Sequence, residues 1–154
     1  MFDKMMIILG LTICLSTPVS GAGGGGGGGD GGPPTVSREY RLAVKAVKKE
    51  DYTKAIDLLQ TVLDEDPKNA NAWNYMGYSL RHIKQYDEAL VAYEKALKIK
   101  PKHKGALEYL GELYLQIGDL EQARAQLKIL DKACFFPCKE YRELKEEIEK
   151  YEAG

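Results

Sequence analysis

Few side chains in this sequence could do chemistry, and their spacing narrows the options. Of the three cysteines, Cys134 and Cys138 bracket the run Cys134-Phe135-Phe136-Pro137-Cys138, and Cys14 lies far upstream. Four-residue spacing at a helix break, with Pro137 inside it, can bring two Cα atoms within the roughly 4.4–6.8 Å that a disulfide spans. Closing so short a loop contributes only about 2 kcal/mol, so the bond would pin one junction without determining the fold. The alternative is two reduced, partly buried thiols. Redox-active pairs usually read Cys-x-x-Cys, which makes thiol oxidoreductase chemistry the weakest reading. The two histidines, His82 and His103, are distant from the cysteines in sequence, so no metal or haem set is completed. His82 sits near a helix end and His103 in the turn after Pro101, where an imidazole is exposed or caps a helix. No Ser-His-Asp set or carboxylate pair stands out, so the expectation is a protein without catalysis, cofactor or metal.

The remaining possibility is recognition, and the elements that would support it can be read in order. Across 154 residues, 22 Lys and Arg balance 23 Asp and Glu for a net charge of −1, which argues against a dedicated nucleic-acid binder. Met5 to Leu15 is an uncharged apolar run, too short for the ~20 residues of a spanning helix but suited to a secretory signal. Pro18 ends it, and Ser20-Gly21-Ala22 offers a peptidase small residues, so residues 1–22 read as a signal peptide cleaved after Ala22. An uncleaved membrane anchor is the alternative. Ten of the sixteen glycines fall between Gly21 and Gly32. Residues 23–35 therefore read as a Gly/Pro-rich disordered linker, since no strand precedes them and no Gly-Lys-Ser/Thr follows to make a phosphate loop. Export to the periplasm or beyond is the expected localisation.

After the linker the sequence repeats itself. Segments 36–69, 70–103 and 104–137 abut at 34 residues each. Small residues recur at Ala43, Gly77 and Gly111 and at Ala55, Ala89 and Ala123, while large apolar ones recur at Leu42, Met76 and Leu110. Trp73, Met76, Leu80 and Ile83 follow the period of one helical face, and Tyr86, Ala89, Leu90, Tyr93, Ala96 and Leu97 follow that of a second. Asp51, Gln85 and Asp119 mark the break between the two, and Pro101 ends the pair. In residues 138–154, Tyr141, Leu144, Ile148 and Tyr151 form one stripe among lysines and glutamates, the pattern of a helix that caps the last repeat.

These motifs resemble the tetratricopeptide repeat. Residues 70–103 carry Trp73-x-x-Met76-Gly77, Ala89-x-x-x-Tyr93, Ala96 and Pro101, and 104–137 carry Leu107-x-x-Leu110-Gly111-x-x-Tyr114 and Ala123. Phe135 occupies the usual proline place, and Glu39 replaces a large apolar residue in the first unit. The resemblance implies an all-α, right-handed superhelical array of three helix-turn-helix hairpins plus a C-terminal capping helix.

It also implies a concave binding face lined by the first helix of each pair. That face would take Tyr40, Val44, Val47 and Lys48 from the first unit, and Asn71, Asn74, Tyr78, Arg81 and His82 from the second. The third would supply Glu108, Glu112, Leu115 and Gln116. Val44, Val47 and Leu115 equally suit contacts with neighbouring helices, whereas Tyr78, Arg81 and Glu112 are expected to be exposed, because charge and hydroxyl need water or a partner. Replacing Tyr78 and Arg81 together is accordingly expected to abolish binding without affecting stability. Family members that clamp acidic chaperone tails use Lys, Arg and Asn at groove sites; Tyr40, Val44, Tyr75, Gly105 and Tyr109 occupy those places, so that clamp is not expected. The expected function is an exported adaptor or scaffold holding a peptide or helical segment of an envelope protein. Self-association into a structural homo-oligomer is the alternative, and membrane contact is expected only through an uncleaved leader.

Overall fold

Ser37 opens the first helix by accepting the Tyr40 amide on its hydroxyl at 3.1 Å, which satisfies one of the donors a helix start leaves without a partner. The structure, a computed structural model, describes residues 37–154, so the expected leader and linker lie outside the described residues. Seven helices follow in order: α1 (Arg38–Lys48), α2 (Tyr52–Glu65), α3 (Ala70–His82), α4 (Tyr86–Ile99), α5 (Lys104–Gln116), α6 (Leu120–Ala133) and α7 (Lys139–Ala153). There is no strand among the described residues, and no described helix is long and apolar enough to cross a membrane. The helices pair as α1–α2, α3–α4 and α5–α6, and the pairs stack into a right-handed superhelical array closed by α7.

The ends of these helices follow from single residues. Asp51, Asn69 and Asp119 accept the amides of Lys54, Ala72 and Gln122, while Gln85 starts α4 without a side-chain cap. Within each pair the first helix ends in the same turn. Glu50, Lys84 and Gly118, 34 residues apart, take positive φ angles of 60°, 64° and 85°. The following amides of Asp51, Gln85 and Asp119 reach back to the carbonyls of Ala46, Leu80 and Tyr114, closing a Schellman turn each time. A left-handed residue is easy for glycine and costs about 1–2 kcal/mol elsewhere, so two of the three turns are strained.

Packing explains the recurring small residues. A Cβ on Gly77 would lie 2.7 Å from the ring of Tyr93, which is fully buried, and a Cβ on Gly111 would lie 2.5 Å from a methyl of Leu144. Glycine thus lets α4 press on α3, and lets α7 press on α5. Of the α7 stripe, Leu144 and Ile148 are buried and Tyr141 packs partly, whereas Tyr151 stays 44% exposed at the margin. Leu42 also departs from expectation. It is 40% exposed, although its counterparts Met76 and Leu110 are buried. Among the described residues no helix precedes α1 to cover it, whereas α2 and α4 stand ahead of α3 and α5.

Candidate functional site

The first helices α1, α3 and α5, with α7 after them, are neighbours across the array and line one face. Tyrosines dominate that face. Tyr40 meets Tyr75 edge-on with ring centroids 6.0 Å apart, and Tyr78 meets Tyr109 at 4.9 Å. At the end of α3, His82 stacks on Tyr52 at 4.5 Å and leans on Tyr78 at 4.4 Å. A cavity of about 270 Å³ is lined by Val47, Lys48, Glu50, Tyr52, Tyr75, Tyr78 and Tyr109. A second, of about 550 Å³, shares Tyr78 and Tyr109 with the first and continues past Arg81, His82, Glu108 and Glu112 to Lys139, Glu143, Glu146 and Glu147 of α7. Together they form a trough with an aromatic floor that becomes acidic towards α7.

The structure brings Tyr40, Val44, Lys48, Tyr78, His82 and Glu112 to this face with some exposure. It differs at four other expected groove residues. Arg81 is only 6% exposed: its guanidinium pairs with Glu112 at 2.7 Å and lies 5.6 Å from the Tyr78 ring centroid and 5.8 Å from that of Tyr109. A cation on a helix surface suggests solvent, but a carboxylate on the next repeat and two aromatic faces bury this one. Asn74 is buried, and Glu108 is buried at 4% exposure. Asn71 is exposed, but its Oδ1 bonds His103 Nε2 at 2.8 Å, which ties α3 to the turn before α5. Leu115, one of the three ambiguous residues, faces the interior beside Leu107 and Ile148, and Val47 packs against the core.

Burial sets the protonation of this face. Burial, and then a hydrogen bond with Glu143, pushes the Glu108 carboxyl up to about 9, so at neutral pH it keeps its proton and donates to Glu143. Glu143, accepting that bond and paired with Lys139 at 3.2 Å, is held below the usual carboxylate range. Glu112 is raised by burial, which outweighs the pull of Arg81. Burial lifts Tyr40 to about 12 and raises Tyr109 as well, so both hydroxyls remain donors. His82 is lowered by burial and by the Arg81 charge. His103 caps α5: its Nδ1 accepts the Ala106 amide at 3.1 Å, and burial followed by the Lys100 charge lowers its pKa. Among the described residues no group of three or more His, Cys, Asp or Glu is placed to hold a metal ion.

Tyr52, Tyr75 and Tyr109 are the groove residues that the sequence-based lining lacks. The 34-residue interval from Tyr75 to Tyr109 was the available signal, together with their place at the clamp positions. The acidic wall of α7 carried no such signal, because α7 lies outside the repeats. At the other end of α6, Cys134 and Cys138 sit with Cα atoms 5.8 Å apart and sulfurs facing at bonding distance.

Two family models, both described as tetratricopeptide repeat, match residues 40–104 and 80–148. The chain belongs to the tetratricopeptide-repeat family. Superkiller complex protein 3 of Mus musculus is 33% identical to this tetratricopeptide-repeat chain over 82 residues, covering 51% of it and 5% of the mouse protein. The peroxisomal targeting signal receptor of Kluyveromyces lactis is 32% identical over 96 residues, covering 61% of this chain and 17% of the receptor. The chain therefore spans only a small part of these relatives. The yeast Sti1 TPR2B domain–pHsp70 complex superposes with a TM-score of 0.69 at 17% identity, over 75% of this chain and 94% of that one. The Yersinia enterocolitica chaperone SycD, in complex with a peptide of the translocator YopD, gives 0.65 at 22% identity, over 75% and 88%. At these identities both show the fold.

Proposed function

We propose that this tetratricopeptide-repeat protein is a non-catalytic adaptor that holds a peptide or helical segment of a partner protein in the tyrosine-floored trough. The observation that carries this reading is the Tyr78–Tyr109 contact at 4.9 Å, flanked by Tyr52 and His82, which joins two repeats into one surface. Tyrosine and arginine are the residue types enriched at binding hot spots, and phenol hydroxyls held as donors suit the carbonyls of an extended chain. Sti1 and SycD are recorded in complex with pHsp70 and a YopD peptide, and those partners serve here only as precedent for peptide capture on this fold. Export to the envelope fits the apolar run from Met5 to Leu15 and a disulfide between Cys134 and Cys138, since oxidising compartments preserve such bonds. The partner is then an envelope protein.

The test is a crosslinked co-purification from the envelope fraction, comparing wild type with Tyr78→Ala/Tyr109→Ala. Loss of one protein band, with far-ultraviolet circular dichroism unchanged, supports the trough. A folded double variant that retains every band removes it. Self-association is the second reading, favoured by the exposed Leu42 on the outer side of α1. Light scattering across protein concentration decides it, because a strict monomer leaves Leu42 with no second copy to meet.

A further inference from the structure

The loop between α6 and α7 presents an arrangement that groove binding does not use. Phe135 and Phe136 are 95% and 75% exposed, with their rings edge-on and centroids 4.8 Å apart. Phenylalanine has no polar atom to offer water, so two adjacent rings this exposed leave apolar area unburied. The loop is held at its base: the two cysteine sulfurs face each other, and Arg142 donates from Nη1 to the Pro137 carbonyl at 2.8 Å. The result is a projecting knob, and a knob suits a soft flat surface.

The charge around it is one-sided. Lys128, Lys132, Lys139 and Arg142 flank the loop in sequence, against Asp131 and Glu140. The turn before α5 adds Lys98, Lys100, Lys102 and Lys104 with no carboxylate between them. That turn lies beside the start of α7, since α5 packs against α7 with Gly111 on Leu144 and Glu108 bonded to Glu143, which sets the two helices side by side in the same direction. A chain with a net charge of −1 thus gathers eight cations at one edge against three anions, Asp131, Glu140 and the Glu143 that pairs with Lys139. We propose that this edge docks on an anionic bilayer, the two phenylalanines entering the headgroup region and the lysines facing lipid phosphates. Juxtaposed basic and aromatic side chains bind such surfaces by adding apolar transfer to the electrostatic attraction between lysines and an anionic leaflet.

The experiment uses the full oxidised chain carrying Phe135→Trp, with the wild type and its Trp73 as the emission baseline. The probes are vesicles of brominated phosphatidylcholine, with and without phosphatidylglycerol. The expected result is a blue shift and quenching of the added indole on anionic vesicles, weakened by salt and on neutral vesicles. Adding Phe136→Ser is expected to lower vesicle partitioning about ten-fold, with circular dichroism unchanged. Sedimentation with vesicles while the indole at position 135 stays unquenched means another segment makes the contact, and overturns the proposal. Equal quenching on neutral and anionic vesicles, or none on either, overturns it too.

Discussion

The contact between Gly111 and Leu144 yields a prediction whose sign depends on its background. In Gly111→Ala the new Cβ would stand 2.5 and 2.7 Å from the two Leu144 methyls and 3.2 Å from its Cγ. Rotating the methyls cannot move Cγ, and Leu144 is fully buried, so α7 must shift as a body. Overpacking of this kind costs about 1–3 kcal/mol, whereas alanine in place of glycine inside a helix returns about 1 kcal/mol. Gly111→Ala alone should therefore lower stability by about 0–2 kcal/mol. With Leu144→Ala already present, the obstacle is gone, and the same substitution should raise stability by about 1 kcal/mol. The coupling, about 1–3 kcal/mol, is read from urea unfolding of the four chains in a double-mutant cycle. Additive effects, with Gly111→Ala stabilising by the same amount in both backgrounds, would falsify the account of α7 docking through this glycine.

Three further outcomes follow from the site and the turns. Arg81→Met strands the Glu112 carboxylate among aromatic rings and should cost about 3 kcal/mol, measured as a fall in urea midpoint. Glu108 carries a folded pKa of about 9, above its unfolded value, so it contributes stability that is full below about pH 4.5 and is lost as pH rises to 9. The melting temperature should thus fall between about pH 6 and about pH 8, and Glu108→Gln should flatten that slope; an unchanged slope in the variant refutes the buried acid. Lys84→Gly relieves the positive φ of the second turn and should add about 0.5–1 kcal/mol by chemical unfolding, whereas Gly118→Ala should lose about 1 kcal/mol.

The architecture was legible because packing repeats at a fixed interval. Gly77 and Tyr93 announce a close helix crossing, Asp51 and Asp119 announce helix starts, and the structure uses each in that role. The candidate face was legible where helical spacing by itself places a residue on it with some exposure, as for Tyr78 and Lys48. It was not legible where burial is cooperative. Arg81 reads as a solvent cation until Glu112, 31 residues later, folds against it. Glu108 reads as one surface carboxylate among many until Glu143 of α7 closes over it. Leu42 fails for the opposite reason, since its side chain follows the repeat pattern but the described chain has no earlier helix to complete it.

The ring of His103 fastens one hairpin to the next. Because Nδ1 accepts the Ala106 amide, the proton must reside on Nε2, which then donates to Asn71 Oδ1. One imidazole thereby starts a helix and rivets it to the hairpin before, but only the cap requires the neutral ring, because a protonated ring still donates from Nε2. Acidification therefore withdraws the acceptor of the Ala106 amide and keeps the tie to Asn71. The second and third hairpins would stay fastened at that corner while α5 loses the cap on its first turn, so acid would fray a helix of the array at a point outside the trough that it shapes.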